Sequence, residues 1–382
     1  MRLHHYYDES TKKIVLVVLL ITIFISSNLV KEVDYPVLSV NVTQANPPSL
    51  FDIFQKIEII PLETTDHSLI GGQGNNTVFY NNHYYILDGL SKSFYCFDEH
   101  GKFVRKIANE GAGPYEYIYA ADFIINEYNN TAELLSPFGF LYVYELSGKF
   151  VKKIRLPNVV PNYQEIMLLN DSLRILTSSV DNNQDQLYVY STRSNTIVNS
   201  FYRENPAIFN FNNRSLCRYN DSIFYFKALV NKVFKINQHG YEIAYSWDVG
   251  VLNPETTKLD TDITNERLTD MFLNSQIKGV YNEQFQNDKY YYTLFNRSVN
   301  QNIVRTNVFY NKRDHKKYVF EKFKEDLAFF PFYWCDDYVL SSSGSFNTSK
   351  SVTLSILDEE NAKKLNAMEE EDNPFIIKYY FK

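Results

Sequence analysis

The chain has 382 residues, enough for one to three domains around a sizeable core. Its net charge of −7 and pI near 5.6 argue against a nucleic-acid binder, which would carry a basic stripe. Three widely separated cysteines, Cys96, Cys217 and Cys335, exclude a disulfide framework and show no zinc-ligand spacing, so each reads as a small buried hydrophobe.

At the N-terminus, Ile14 to Ile25 read IVLVVLLITIFI, with Lys12 and Lys13 before and Ser26 and Ser27 after. A basic flank, a short apolar run and small residues describe an export signal. The run is short for a membrane span, which needs about 20 apolar residues. An uncleaved anchor is the alternative, so N-terminal membrane association stays open. Residues 31–50 follow as a linker.

Beyond residue 50 two signals recur, and aromatic and β-branched residues dominate both, which favours strands. The first is a polar turn between apolar runs. VFYNNHYYIL carries it at Asn81 and Asn82, IINEYNNTAELL at Asn129 and Asn130, and IMLLNDSLRIL at Asn170 and Asp171. It returns in LCRYNDSIFYF at Asn220 and Asp221, EQFQNDKYYYTL at Asn287 and Asp288, and FYWCDDYVLSS at Asp336 and Asp337. Asn and Asp tolerate the positive φ that short hairpins need.

The second signal follows each of the first five turns. FYCFDEHGKFVRKI (94–107) and LYVYELSGKFVKKI (141–154) match almost position for position, with looser copies at 187–201, 233–247 and 307–320. Two hairpins make four antiparallel strands, the unit of a β-propeller blade. The sixth unit lacks its outermost strand, while QKIEIIPL (55–62) has no local partner. Pairing 55–62 beside FIIKYYF (375–381) closes the ring and removes an exposed edge. The expected fold is an all-β, six-bladed β-propeller over residues 51–382. Helical spacing within 258–285 (Leu268, Met271, Phe272, Ile277) and 355–369 (Leu357, Leu365, Met368) predicts two inserted helices, the second between strands two and three of blade six.

RKIANEGAGPYEY (105–117), following ILDGLSKSFYCFDEHGKFV (86–104), together with IEIIPLETT (57–65) and DNPFIIKYYFK (372–382), resembles the six-bladed propeller proteins of Bacteroidetes, related in layout to NHL-repeat propellers. The resemblance spans residues 51–382 and implies the fold and export, without a particular activity. Many members carry a lipid-anchoring cysteine after the signal. Here SSNLV (26–30) has none.

The loop Glu110–Tyr117 joins blades one and two, which in NHL-like layouts lies at the channel mouth. Gly111 and Gly113 permit close backbone approach and Pro114 stiffens the turn. Glu110, Tyr115 and Glu116, with Arg105 nearby, and Asp88 at a strand end, are therefore the candidate ligand-binding residues. In the plainer reading GAGP is an inter-blade turn, with Glu116 and Asp88 capping backbone amides. DNNQD (181–185) offers oxygens at alternate positions, but Gln186 and Thr192 occupy the glycine and glutamate places of a calcium loop, so no metal site is expected. DSL (171–173) and DSI (221–223) resemble O-glycosylation sites of Bacteroidetes, and both sit in the repeated turn. No HExxH, GxSxG or GxxxxGK occurs. No cofactor is expected.

The expected function is a monomeric, exported, non-enzymatic binding or scaffold propeller in the periplasm or cell envelope. Its ligand would be a glycan, peptide or protein partner met at the channel mouth. The alternative is a metal-dependent carbohydrate hydrolase, lactonase or lyase using carboxylates from separate blades.

Overall fold

The repeated hairpins pair as strands in the computed structural model, which describes residues 35–71, 76–160, 162–178, 185–203, 214–255, 259, 263–342 and 356–382. The N-terminal apolar run and residues 181–184 of the DNNQD loop lie outside the described residues. The strands all belong to one unit, Val37–Lys382. Two strands precede the repeats, β1 (Val37–Ser39) and β2 (Phe54–Pro61).

Blade one comprises β3 (Asn76–Tyr80), β4 (His83–Asp88), β5 (Ser93–Asp98) and β6 (Phe103–Asn109). Blade two comprises β7 (Asp122–Asn126), β8 (Thr131–Ser136), β9 (Phe140–Glu145) and β10 (Phe150–Arg155). Blade three comprises β11 (Tyr163–Leu168), β12 (Leu173–Ser178), β13 (Leu187–Ser191) and β14 (Thr196–Phe201). Blade four comprises β15 (Leu216–Tyr219), β16 (Ser222–Phe226), β17 (Lys232–Asn237) and β18 (Gly240–Asp248). Blade five comprises β19 (Val280–Gln286), β20 (Tyr290–Val299), β21 (Asn302–Asn311) and β22 (Lys317–Phe320). Blade six comprises β23 (Pro331–Trp334), β24 (Tyr338–Ser342) and β25 (Phe375–Phe381).

The chain is a six-bladed β-propeller. Its ring closes as the sequence predicts: β2 pairs antiparallel with β25, Ile57 opposite Tyr379 and Ile59 opposite Ile377, and becomes the outermost strand of blade six. The segment expected as a linker contributes more than a connection. Within it, β1 adds a fifth strand to blade four, parallel to β18 with Val37 opposite Ser246.

Each blade presses a neighbour on both faces, so a middle strand such as β4 is apolar on both sides. In β4, Tyr84 and Ile86 join a core shared with blade six, while Tyr85 and Leu87 join the core shared with blade two. One such core fills each of the six blade–blade junctions.

The repeated polar turns work in two ways. Asn81 (φ 47°), Asn82 (φ 58°), Asn130 (φ 53°) and Asn220 (φ 49°) adopt the left-handed backbone that the sequence anticipates. At Asn170 and Asn287 the side chain does the work instead. Asn170 Oδ1 accepts from the Ser172 and Leu173 amides, and Asn287 Oδ1 from the Lys289 and Tyr290 amides. Gly101 of the second signal (φ 81°) has a separate reason: a Cβ there would stand 2.0 Å from the Pro61 carbonyl oxygen of the closing strand.

Both inserted helices form. α1 (Asn265–Leu273) begins at Thr264, whose hydroxyl accepts from the Arg267 amide, and buries Leu268 and Phe272 with Ile277 before blade five. α2 (Glu359–Asn366) lies between β24 and β25. Its Asn361 Oδ1 accepts from the Ile59 amide at 2.6 Å, which ties the helix to the closing strand.

Candidate functional site

The six innermost strands, β3, β7, β11, β15, β19 and β23, all contribute to the wall of one central cavity of about 450 Å³. That volume lies within the roughly 300–1,000 Å³ of small-molecule sites. A second cavity, about 770 Å³, lies beside blade five under residues 45–47 and is open to solvent.

Where the innermost strands begin, acidic side chains tie one blade to the next. Asp122, at the start of β7, accepts from the Ile166 amide of blade three (3.0 Å), from Arg214 ahead of blade four (2.8 Å) and from Asn76 of blade one (3.1 Å). Glu165 accepts from the Ser215 and Leu216 amides of blade four at 2.9 and 3.1 Å, and from the Ser215 hydroxyl. Desolvation raises the Glu165 carboxyl above its usual range despite these bonds. Arg218 of blade four donates to the Leu168 carbonyl of blade three.

Where the innermost strands end, the turns of blades four to six interlock. Tyr219 donates to the Asp288 carboxylate, and the Asp288 amide donates to Asp336 Oδ1 at 2.8 Å. Lys312 Nζ sits 4.6 and 4.4 Å from the ring centroids of Tyr219 and Tyr291 and donates to Gln286 Oε1. Burial pushes its ammonium down to about 8, against the pull of Asp288 and Asp336.

Glu283, midway along β19, and Trp334, the last residue of β23, line the same cavity. Glu283 Oε2 and Trp334 Nε1 are both buried without a hydrogen-bond partner. Phe285, two residues beyond Glu283 on β19, stacks parallel on Trp334 with centroids 5.8 Å apart and planes at 6°. Burial pushes the Glu283 carboxyl up to about 7, and Arg305 opposes that shift. Orphaned buried polar atoms cost about 1–3 kcal/mol each, and these two are among nine such side-chain atoms in the described residues.

The residues singled out in the sequence lie elsewhere. Asp88 is fully buried at the end of β4 and accepts from the Gly71 amide at 2.6 Å and the Ser91 amide at 3.0 Å. Arg105, on the outermost strand of blade one, donates to the Leu146 carbonyl of blade two. Glu110 pairs with Lys92 at 3.1 Å. Glu116 accepts from the Gly113 amide and Asn109 Nδ2, both at 2.7 Å, and these bonds hold its carboxyl below the usual range. Tyr115 is exposed, its ring 5.7 Å from Phe150 on the outermost strand of blade two. None of the five lines the central cavity. The signal that would have found Glu283 is a charge inside EQFQ, a stretch otherwise read as a buried strand. Among the described residues, no three His, Cys, Asp or Glu side chains gather as a metal site would require.

A family model described as a domain of unknown function (DUF4934) matches residues 35–380. Similar solved structures include that of a "Putative exported protein" from Bacteroides fragilis NCTC 9343. It is 17% identical with a TM-score of 0.73, covering 91% of this chain and 99% of that one. A member of the duf4221 family from Bacteroides vulgatus ATCC 8482 is 10% identical with a TM-score of 0.51, covering 86% of this chain and 97% of that one. At such identities the likeness concerns the fold. No curated protein matches the sequence.

Proposed function

The chain belongs to the DUF4934 family, and on that premise we propose that it is an exported, non-enzymatic binding propeller whose ligand enters the central channel. The observation that carries this reading is the cavity of about 450 Å³ with the partnerless Glu283 Oε2 in its wall. Export to the cell envelope rests on the apolar run 14–25 behind Lys12 and Lys13. No described helix is long and apolar enough to cross a membrane.

The binding reading is favoured over a metal-dependent hydrolase by what two acids where the innermost strands begin already do. Asp122 and Glu165 are spent on Arg214 and on backbone amides of neighbouring blades. A carboxylate so engaged is a structural tie rather than a free metal ligand or general base.

The test is a thermal-shift screen of the protein against saccharides, short peptides and divalent cations. A ligand at 100 times its Kd stabilises the folded state by about 2.7 kcal/mol, a shift of a few degrees. The expected outcome is a rise in Tm with an organic ligand that Glu283→Gln diminishes. A rise with a divalent cation alone, abolished by chelator, would favour the hydrolase reading.

A further inference from the structure

We propose that the channel's ligand is a neutral polyhydroxyl compound, a short saccharide or polyol, gripped by Glu283 and Trp334 between blades five and six. The inference rests on the channel being the binding site and adds the class of ligand. Its basis is that two residues lining one cavity each carry a buried polar atom without a hydrogen-bond partner, the acceptor Glu283 Oε2 and the donor Trp334 Nε1.

A hydroxyl group both donates and accepts, so a compound carrying several hydroxyls supplies a partner for either kind of atom. An ammonium would satisfy Glu283 and leave the indole N–H unmet. A carboxylate would accept from the indole and be repelled by Glu283. Of the cations that line the cavity, Arg214 is bound to Asp122 and Arg218 to the Leu168 carbonyl, while Arg305 acts on Glu283 itself, so none of them is left to call for an anion.

The rest of the wall suits the apolar faces of sugar rings. Phe79, Phe332 and Tyr333 line the same cavity, with Phe79 and Tyr333 rings 6.2 Å apart. Phe285 stacked on Trp334 holds the indole so that its N–H keeps one direction.

The experiment titrates the full protein with glucose, maltose and sorbitol, and with ethanolamine and acetate as charged controls. Heat of binding and tryptophan emission are both recorded. The protein has two tryptophans, so Trp334→Phe leaves only Trp247 and isolates the channel signal. The expected result is binding of a saccharide or polyol with a change in emission. Glu283→Gln and Trp334→Phe should each weaken it roughly tenfold, as loss of one buried hydrogen bond does. In Trp334→Phe the emission should no longer respond. Glucose and maltose binding without sorbitol would assign a ring; sorbitol binding equally well would assign the hydroxyl pair alone. Binding of ethanolamine weakened by Glu283→Gln, or of acetate weakened by Trp334→Phe, while the hydroxyl compounds give no heat, would overturn the ligand class and leave the channel site standing. Hydroxyl-compound binding untouched by either variant, with unchanged emission, would overturn the channel site too. No heat from any hydroxyl compound would overturn the class.

Discussion

Arg174 of blade three grips Glu133 of blade two through two parallel hydrogen bonds. Its Nε meets Oε2 at 2.8 Å and its Nη2 meets Oε1 at 2.8 Å, with the side chains only 1% and 5% exposed. Asn126 adds a third bond to Glu133, and Arg174 Nη1 donates to the Asn170 and Leu173 carbonyls. The pair therefore locks the repeated turn of blade three to the second strand of blade two. Burying two charges is costly, and breaking such a pair costs about 3–5 kcal/mol because one charge is left uncompensated. Arg174→Met should lower the unfolding free energy by that much, and adding Glu133→Leu should recover most of the loss. Additive losses in denaturant titrations would show that the pair is not coupled.

Ring closure makes a second prediction. Phe54 is fully buried at the start of β2, with ring centroids 5.0 Å from Tyr379 and 5.1 Å from Phe381. Phe54→Ala should cost about 3–5 kcal/mol, read from the unfolding midpoint. Hydrogen exchange should then quicken in β25 before the middle strands of other blades, because β25 becomes the edge of its sheet.

The Glu116 turn carries a pH signature. Its carboxyl is held low by the Gly113 amide and Asn109, so the folded state favours the charged form. Its contribution is present above the unfolded pKa, about 4.3, and is lost as pH falls through the lower folded value. Glu116→Gln should therefore lower Tm at pH 7 and make little difference at pH 2–3. A methyl at Gly111 would stand 1.9 Å from Glu116 Oε2, so Gly111→Ala should displace the carboxylate. In that variant its NMR titration should move up toward the ordinary value.

Glu283 has the opposite sign. Burial raises its carboxyl from 4.5 to about 7, so the folded state holds the proton more tightly than the unfolded chain. Stability from this group is greatest below about pH 4.5, falls as pH rises to about 7, and then levels, a change on the order of 3 kcal/mol. Glu283→Gln should flatten that part of the stability–pH curve. A curve of unchanged slope would place the titration on another group.

The fold was legible because its local chemistry repeats. The six polar turns, the matching 94–107 and 141–154 segments and the lone strand at 55–62 each have one sensible place in a ring. The channel was not legible. Asp122 and Arg214 meet from blades two and four, and no local spacing announces a bond between residues 92 apart. In the inter-blade loop the glycines permit close approach, and what approaches is Glu116, which accepts from the Gly113 amide as the plainer reading of that turn expected. Strands buried on both faces also lack the alternation that would tell which residues face the channel.

The most direct test of the account is a crystal structure of the protein grown with the tightest-binding saccharide or polyol. Binding in the channel would give density there, with hydroxyl oxygens in hydrogen-bond reach of Glu283 Oε2 and Trp334 Nε1. Density on the outer loops, at Tyr115 for example, with the channel holding only solvent, would contradict it.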